Sequence, residues 1–439
     1  MMTIPQRPFR RPLVALAGLT TALLVSCGGN ADDGIDQQAA QRSESAAAPG
    51  AQVQAAAKPF PQHVVYTAGA IKPSNVSQAA MDAKVSSQYE AWKTNYLRTE
   101  GGQGAWIKYD KTNSTVSEAH GYGMVLAAYM ADKPTVDSMY GYFTHHPSKH
   151  GAHLMAWKQT LTNGVMTDVA GRVSATDGDL DVAYALLLAH VQWGSSGAID
   201  YRARALEVMH DILQYDVNPT YWNLTVGDWT RDDDVNYTRP SDFMTGHILA
   251  FARYDTANAA KWNKVYEAIS AAVNDQFTHG SEKTGLMPDF MVRSGSVWVP
   301  VTGKWLETRN DGDFFWNACR TPWRLALSWL NDGRTDMKAA QQQMASWIRG
   351  KTGGVPRKIH DGYFVKNGPN GEAMDKNRDL VFTAPMAVNA MFGGAPGQAW
   401  MNSLWTSING GDYGSTVEYY GDAVRLHVLL TVSGNWWTP

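Results

Sequence analysis

Apolar residues recur at helical spacing along most of the chain, in about a dozen segments, and strand-like alternation is scarce. The spacing predicts helices over roughly 76–97, 117–132, 135–145, 179–194, 200–214, 240–256, 259–276, 313–331, 337–349, 383–394, 397–407 and 416–432. In 179–194, Leu180, Ala183, Tyr184, Leu187, Leu188 and Val191 fall on one broad face. Residues 296–301 are the best strand candidate. An all-α fold follows. Twelve helices paired as six hairpins close into a double ring, an (α/α)6 barrel, whose inner helix ends supply a cleft. A helical solenoid is the competing arrangement, but no fixed-period repeat is visible.

The N-terminus reads as a targeting segment. Arg7, Arg10 and Arg11 precede an apolar run from Leu13 to Val25, too short to span a bilayer stably. The run ends in Leu24-Val25-Ser26-Cys27-Gly28-Gly29, which resembles a bacterial lipoprotein signal with Cys27 lipidated after loss of residues 1–26. A plain secretory signal with a chance Cys is the alternative. Residues 27–58, rich in Ala, Gln, Ser and Gly, read as a disordered tether. One domain spans 59–439, with no second composition break. The expected location is therefore the cell envelope, or outside the cell if the signal is only cleaved. A lipid anchor would be the only membrane contact, and the chain is expected to be a monomer.

Charge narrows the partners. Removing residues 1–26 takes away three Arg and no acids, so the formal charge goes from −3 to −6. A mildly acidic chain argues against nucleic acid and suits a neutral or cationic substrate. The 2 Cys are Cys27 and Cys319, so lipidation of the first leaves no disulfide partner for the second and no Cys-based metal pattern. His145, His146, His150 and His153 crowd one segment, but Pro147 and Lys149 among them favour a solvated loop over a metal site. No metal or cofactor is expected.

Carboxylates supply the chemistry. Glu118 stands in Ser117-Glu118-Ala119-His120-Gly121-Tyr122-Gly123-Met124, and Asp177 in Ala175-Thr176-Asp177-Gly178-Asp179-Leu180-Asp181. Each lies at the entrance of an apolar helix, where first-turn electrostatics or capping would equally explain a lone acid. Gly121, Gly123 and Gly178 tilt the balance toward a site, because small residues let backbone or ligand approach closely. Glu307 lies in the polar stretch Trp305-Leu306-Glu307-Thr308-Arg309-Asn310-Asp311-Gly312-Asp313, and on spacing alone it ranks below Asp311 and Asp313. The 17 Trp and 19 Tyr would either stack on pyranose rings or fill a wide helical core. Asp232-Asp233-Asp234 reads as a solvated acidic loop.

The 117–124 stretch and residues 175–193 resemble glycoside hydrolase family 8, with Val182 a minor departure. Further resemblance lies in Leu154–Trp157, Gly227–Trp229, Arg239–Asp242, Asn317–Arg324 and Tyr419–Gly421, so it covers essentially 59–439. The resemblance implies an (α/α)6 barrel and inverting endo-cleavage of a β-linked glucan, xylan or chitosan. It makes Glu118 the general acid and Asp177 the acidic residue at the cleaved bond. Many members carry an Asp base where this chain has Asn317, and Asn cannot take a proton from water. The branch with chitosanases and mixed-linkage β-glucanases also has Asn there and uses a Glu about ten residues earlier, which Glu307 matches.

An inverting pair stands about 6.5–9.5 Å apart, with the acid's pKa raised, and Asp177 nearby would help raise that of Glu118. Arg320 would orient a carboxylate or hold a structural ion pair. The resemblance further implies that Asn317, Trp157, Trp229, Tyr419 and Tyr420 contact sugar. The expected substrates are chitosan or β-1,3-1,4-glucan, then soluble cellulose, and the acidic loop would attract chitosan's ammonium groups if it lined the cleft. An endoglucanase accompanying cellulose synthesis is a rival that Asn317 disfavours. A non-catalytic glycan-binding lipoprotein is a second, and the presence of both acids disfavours it.

Overall fold

The computed structural model describes residues 55–439 except 231–233, 411–412 and 414–417. The leader, Cys27, nearly all of the tether, and Asp232 and Asp233 lie outside the described residues. Among the described residues no helix is long and apolar enough to cross a membrane.

The helices are α1 Gln78–Tyr96, α2 Ser117–Tyr129, α3 Lys133–His145, α4 Thr176–Trp193, α5 Tyr201–Asp211, α6 Thr245–Tyr254, α7 Ala259–His279, α8 Thr321–Arg324, α9 Leu327–Asp332, α10 Lys338–Thr352, α11 Leu380–Ala390, α12 Gln398–Asn409 and α13 Tyr419–Val432. Contacts run from α2 to α4, α6, the α8–α9 pair, α11, α13 and back to α2, closing an inner ring. The remaining helices flank it on the outside, α3 on α2, α5 on α4, α7 on α6, α10 and α12 on α11, and α1 on α13. This is the expected (α/α)6 barrel.

Burial separates the two rings. Outer α7 buries Trp262, Val265, Tyr266, Ile269, Ala272, Val273 and Gln276, the single stripe of a helix with one wet side. Every residue of α2 and α11 is buried. In α4 only His190 and Val191 escape, so burial extends beyond the one broad face read over 179–194, because an inner helix is covered by its outer neighbour and by the barrel interior.

Two helix expectations need correction. Residues 240–242 form a 3-10 turn ahead of α6, and 313–331 is not one helix but a loop, a 3-10 turn at 318–320, and then α8 and α9. There the backbone bonds elsewhere: Asp289 Oδ1 accepts the N–H groups of Phe315, Asn317 and Ala318 at 3.0, 3.1 and 2.7 Å. The expected strand is Val297–Pro300, paired with Met291–Ser294, which in turn pairs with Tyr237–Thr238. A second sheet, Ser114–Val116 with Lys158–Thr162 and Val165–Asp168, was not anticipated, although Asn163-Gly164 at its hairpin (φ 51° and 80°) is a strong turn signal.

The C-terminus plugs one end of the barrel. Trp436 and Trp437 pack on Tyr129, the last residue of α2, whose hydroxyl donates to the Trp437 carbonyl at 2.7 Å. Glu118 lies three turns away, at the end of α2 opposite the plug.

Candidate active site

The site grows from the side-by-side first turns of α2 and α4. A Cβ on Gly178 would fall 2.5 Å from the Ser117 carbonyl carbon, and one on Gly121 would fall 2.6 Å from Asp181 Cβ. The glycines therefore serve helix-to-helix approach, which brings Glu118 beside Asp177. Neither acid is a cap: Val116 and Ala175 hold the N-cap positions, and neither makes a side-chain capping bond.

Both carboxylates converge on Arg320. Its Nη1 lies 3.1 Å from Asp177 Oδ2 and donates to Glu118 Oε2 in a close contact. Arg239 Nη2 stands 2.9 Å from Asp177 Oδ1, while its Nε donates to both oxygens of Asp242 at 2.9 Å. Beneath them Arg324 donates to the Tyr122 hydroxyl at 3.2 Å and to Asp181 at 3.3 Å, and Asp181 also meets His247 Nε2 at 2.9 Å.

This cluster splits the two acids electrostatically. Burial pushes Glu118 up to about 7; Arg320 pulls against it and the negative Asp177 adds to it. Burial also opposes ionisation of Asp177, but Arg239 and Arg320 outweigh it and hold that carboxyl at about 2. A proton holder thus stands beside a permanent anion.

Glu307 reaches the same cluster from a loop and is 7% exposed, not solvated as a lone loop Glu would be. Asn317 joins the two halves, its Oδ1 accepting from Arg320 Nη2 and its Nδ2 donating to Glu307 Oε2, each at 3.0 Å. Both functional groups of the Asn317 amide are thereby engaged in holding the site together. Burial pushes Glu307 up to about 7, with Arg239 opposing and Asp311 adding to the rise. Glu118 Oε1 and Glu307 Oε1 are buried and make no hydrogen bond within the protein. Two carboxyls thus each present one free oxygen, at the two ends of an Arg320–Asn317 bridge.

Comparison with known proteins gives the family. The model of Glycosyl hydrolases family 8 matches residues 58–359. The chain belongs to that family. It is a glycoside hydrolase. A beta-glucanase of Niallia circulans is 43% identical over 389 residues, covering 87% of this chain and 91% of that protein. An endoglucanase of Bacillus sp. (strain KSM-330) is 32% identical over 402 residues, covering 87% and 82%. The apo structure of a beta-1,3-1,4-glucanase from Paenibacillus sp. X4 superposes with a TM-score of 0.82 at 41% identity, covering 87% of this chain and 99% of that one.

The aromatic candidates of this family 8 chain sit at different depths. Tyr420 is half-buried, with its hydroxyl donating to the Trp316 carbonyl at 2.8 Å and its ring 5.9 Å from the Arg320 guanidinium carbon. Tyr419 is buried edge-on against Tyr96 and Tyr109, and its hydroxyl makes no hydrogen bond. Trp157 is 6% exposed, its carbonyl receiving the Ser117 N–H that starts α2. Trp229 is half-buried on the small apolar cluster of Val226, Phe290 and Val301 that also supports Trp305.

Among the histidines, His146 is buried, not solvated, because its Nδ1 meets Asp168 at 2.8 Å. Arg239, Asp242, Arg324 and Asp289 are the site's unforeseen members. Arg239, Asp242 and Arg324 stand inside stretches already tied to the family, but the pairing of Arg239 with Asp177 and Asp242, and of Arg324 with Asp181, needs the fold.

Proposed function

We propose that this chain is an inverting endo-hydrolase of β-1,4 linkages in a β-glucan, with Glu118 as general acid, Glu307 as general base and Asp177 holding substrate and water at the cleaved bond. The observation that carries the reading is the pair of buried carboxyls, each raised to about 7 and each with one oxygen free of protein partners. Glu118, protonated, gives its proton to the leaving glycosidic oxygen. Glu307, ionised, takes one from the attacking water. Asp177 stays anionic throughout and stabilises positive charge developing at the sugar ring. The name of the Niallia relative, a beta-glucanase, favours a β-glucan, and that of the Paenibacillus relative favours β-1,3-1,4-glucan. Chitosan is the second reading, favoured by Asp234 beside the base loop, 3.4 Å from Trp305 Nε1. Export on the N-terminal leader and anchoring through Cys27 belong to the same proposal and suit an extracellular polymer.

The test is reducing-end release from mixed-linkage β-glucan and chitosan in parallel, with NMR of the anomer first formed. Glu118→Gln and Glu307→Gln should each lose roughly 10²–10⁴-fold in kcat. The wild-type kcat/KM profile should be a narrow bell, since both groups titrate at about 7: Glu307 must be ionised, which fails below, and Glu118 protonated, which fails above. Retention of the anomer, or near-normal turnover by Glu307→Gln, would overturn the mechanism. Faster release from chitosan would move that polymer to the front.

A further inference from the structure

The loop that carries Glu307 forms no helix or strand of its own; Trp305 stacks on Tyr237 at 4.2 Å, and one side chain gathers the loop's backbone. Asp311 is fully buried, and its Oδ2 accepts the backbone N–H of Trp305, Leu306 and Glu307 at 3.0, 2.7 and 3.0 Å. Its Oδ1 accepts that of Thr308 at 2.6 Å. Four consecutive amides therefore point at one carboxylate, and Glu307 is among them. The backbone of Asp311 is itself held, its carbonyl accepting from Phe290 N at 2.8 Å. The adjoining Gly312 lies so close to the Val301 carbonyl oxygen that a Cβ there would fall 2.1 Å from it. The loop cannot drift without breaking charge-assisted bonds to a buried carboxylate.

We infer that Asp311 is a positioning residue of the hydrolytic site: it wraps residues 305–308 around its carboxylate and so fixes Glu307 against Asn317. The inference rests on Glu307 being the base. Besides placement, Asp311 acts through charge. The groups facing Glu307 are Arg239, Arg320, Asn317 and Asp311, with Asp289 close enough to interact with it electrostatically. Arg239, Arg320 and the Asn317 amide favour the ionised base, and Asp311 opposes it. An asparagine at 311 removes the opposing charge and part of the wrapping; a glutamate keeps the charge and displaces the wrapping.

The experiment measures kcat, KM and the pH profile of kcat/KM on mixed-linkage β-glucan for wild type, Asp311→Asn, Asp311→Glu and Glu307→Gln. Asp311→Asn should lose roughly 10²-fold in kcat, the scale of a small misplacement of a reacting group. KM should change little, and the acidic limb should move to lower pH as Glu307 ionises more readily. Asp311→Glu should also lose kcat, with the limb in place. If Asp311→Asn does not fold, loss of kcat at unchanged KM in Asp311→Glu carries the inference alone. An inactive Glu307→Gln beside Asp311 variants with wild-type kcat and an unmoved limb would overturn it. Near-normal turnover by Glu307→Gln would instead overturn the base assignment, and the inference with it.

Discussion

The two halves of the site are built by opposite means. Glu118 and Asp177 stand on the first turns of helices buried almost end to end, positioned by the α2–α4 contact that Gly121 and Gly178 permit. Glu307 and Asn317 stand on chain with no helix or extended strand, where Asp289 and Asp311 accept the N–H groups that a regular element would have paired internally. Asp313 extends this half, accepting the N–H groups of Val365, Lys366 and Asn367 at 2.8, 2.8 and 3.0 Å. A helical ladder satisfies its own backbone, so its placement depends on packing. A loop in a dry interior needs acceptors from elsewhere, and buried carboxylates provide several each. The acid should therefore be sensitive to volume and the base to charge.

The largest effect expected is on the packed half. In Gly178→Ala the new methyl meets the Ser117 backbone at 2.5–2.6 Å, and backbone cannot swing aside as a side-chain tip can. Alanine gains about 1 kcal/mol in helix propensity, but a methyl pressed this close to backbone exceeds the usual ~1–3 kcal/mol cost of overpacking, so the loss wins. Urea unfolding should show a lower midpoint at unchanged slope, together with weaker catalysis as Glu118 is pushed off Arg320. A variant as stable as wild type would mean that α2 and α4 are not in the contact described.

The next effect separates charge from packing in the other half. The Glu307 carboxyl titrates at about 7 when folded against an ordinary 4.5. A raised carboxyl contributes its full stability below the unfolded value and loses it as pH rises through the folded one. The stability is thus lost between pH 4.5 and about 7, and at pH 8 the ionised carboxyl stays buried. Glu307→Gln, which keeps an oxygen to accept from Asn317, should melt like wild type near pH 4 and above it at pH 8. The gain should be on the order of 2–3 kcal/mol. The same protein should be nearly inactive. Equal melting at both pH values would remove buried charge from the account of this region.

What could be read from the sequence follows the same division. Helical periodicity marked the rings, because each outer helix keeps one wet side and each inner helix is mostly apolar or small, with its charged residues gathered largely toward its start. Glu118 and Asp177 were visible as acids at helix starts. The loop half was not visible locally. Asp311 and Asp313 outrank Glu307 on spacing, and both are taken up by backbone amides; Asp289 is joined to Phe315, Asn317 and Ala318 across 26 to 29 positions. Only family resemblance singled out Glu307. The broken helix over 313–331 has the same cause, since a carboxylate distant in sequence takes the N–H groups that helical bonds would have used. His146, expected in a solvated loop, is likewise buried by Asp168, 22 positions away.

The smallest effect lies at the seam between the halves. Tyr420, at the start of inner helix α13, donates its hydroxyl to the carbonyl of Trp316, next to Asn317, at 2.8 Å. Tyr420→Phe removes that tie and leaves the ring over Arg320. The Trp316 carbonyl still accepts from Cys319 Sγ at 3.1 Å, so it is not left bare. The loss should be about 1 kcal/mol or less, the net worth of one hydrogen bond whose acceptor keeps another partner. Thermal melting would read it, alongside a modest drop in kcat as the Asn317–Arg320 segment loosens. A drop in kcat as large as that of Glu307→Gln would show that the hydroxyl meets the reacting sugar directly, and would move Tyr420 from the frame of the site into its chemistry.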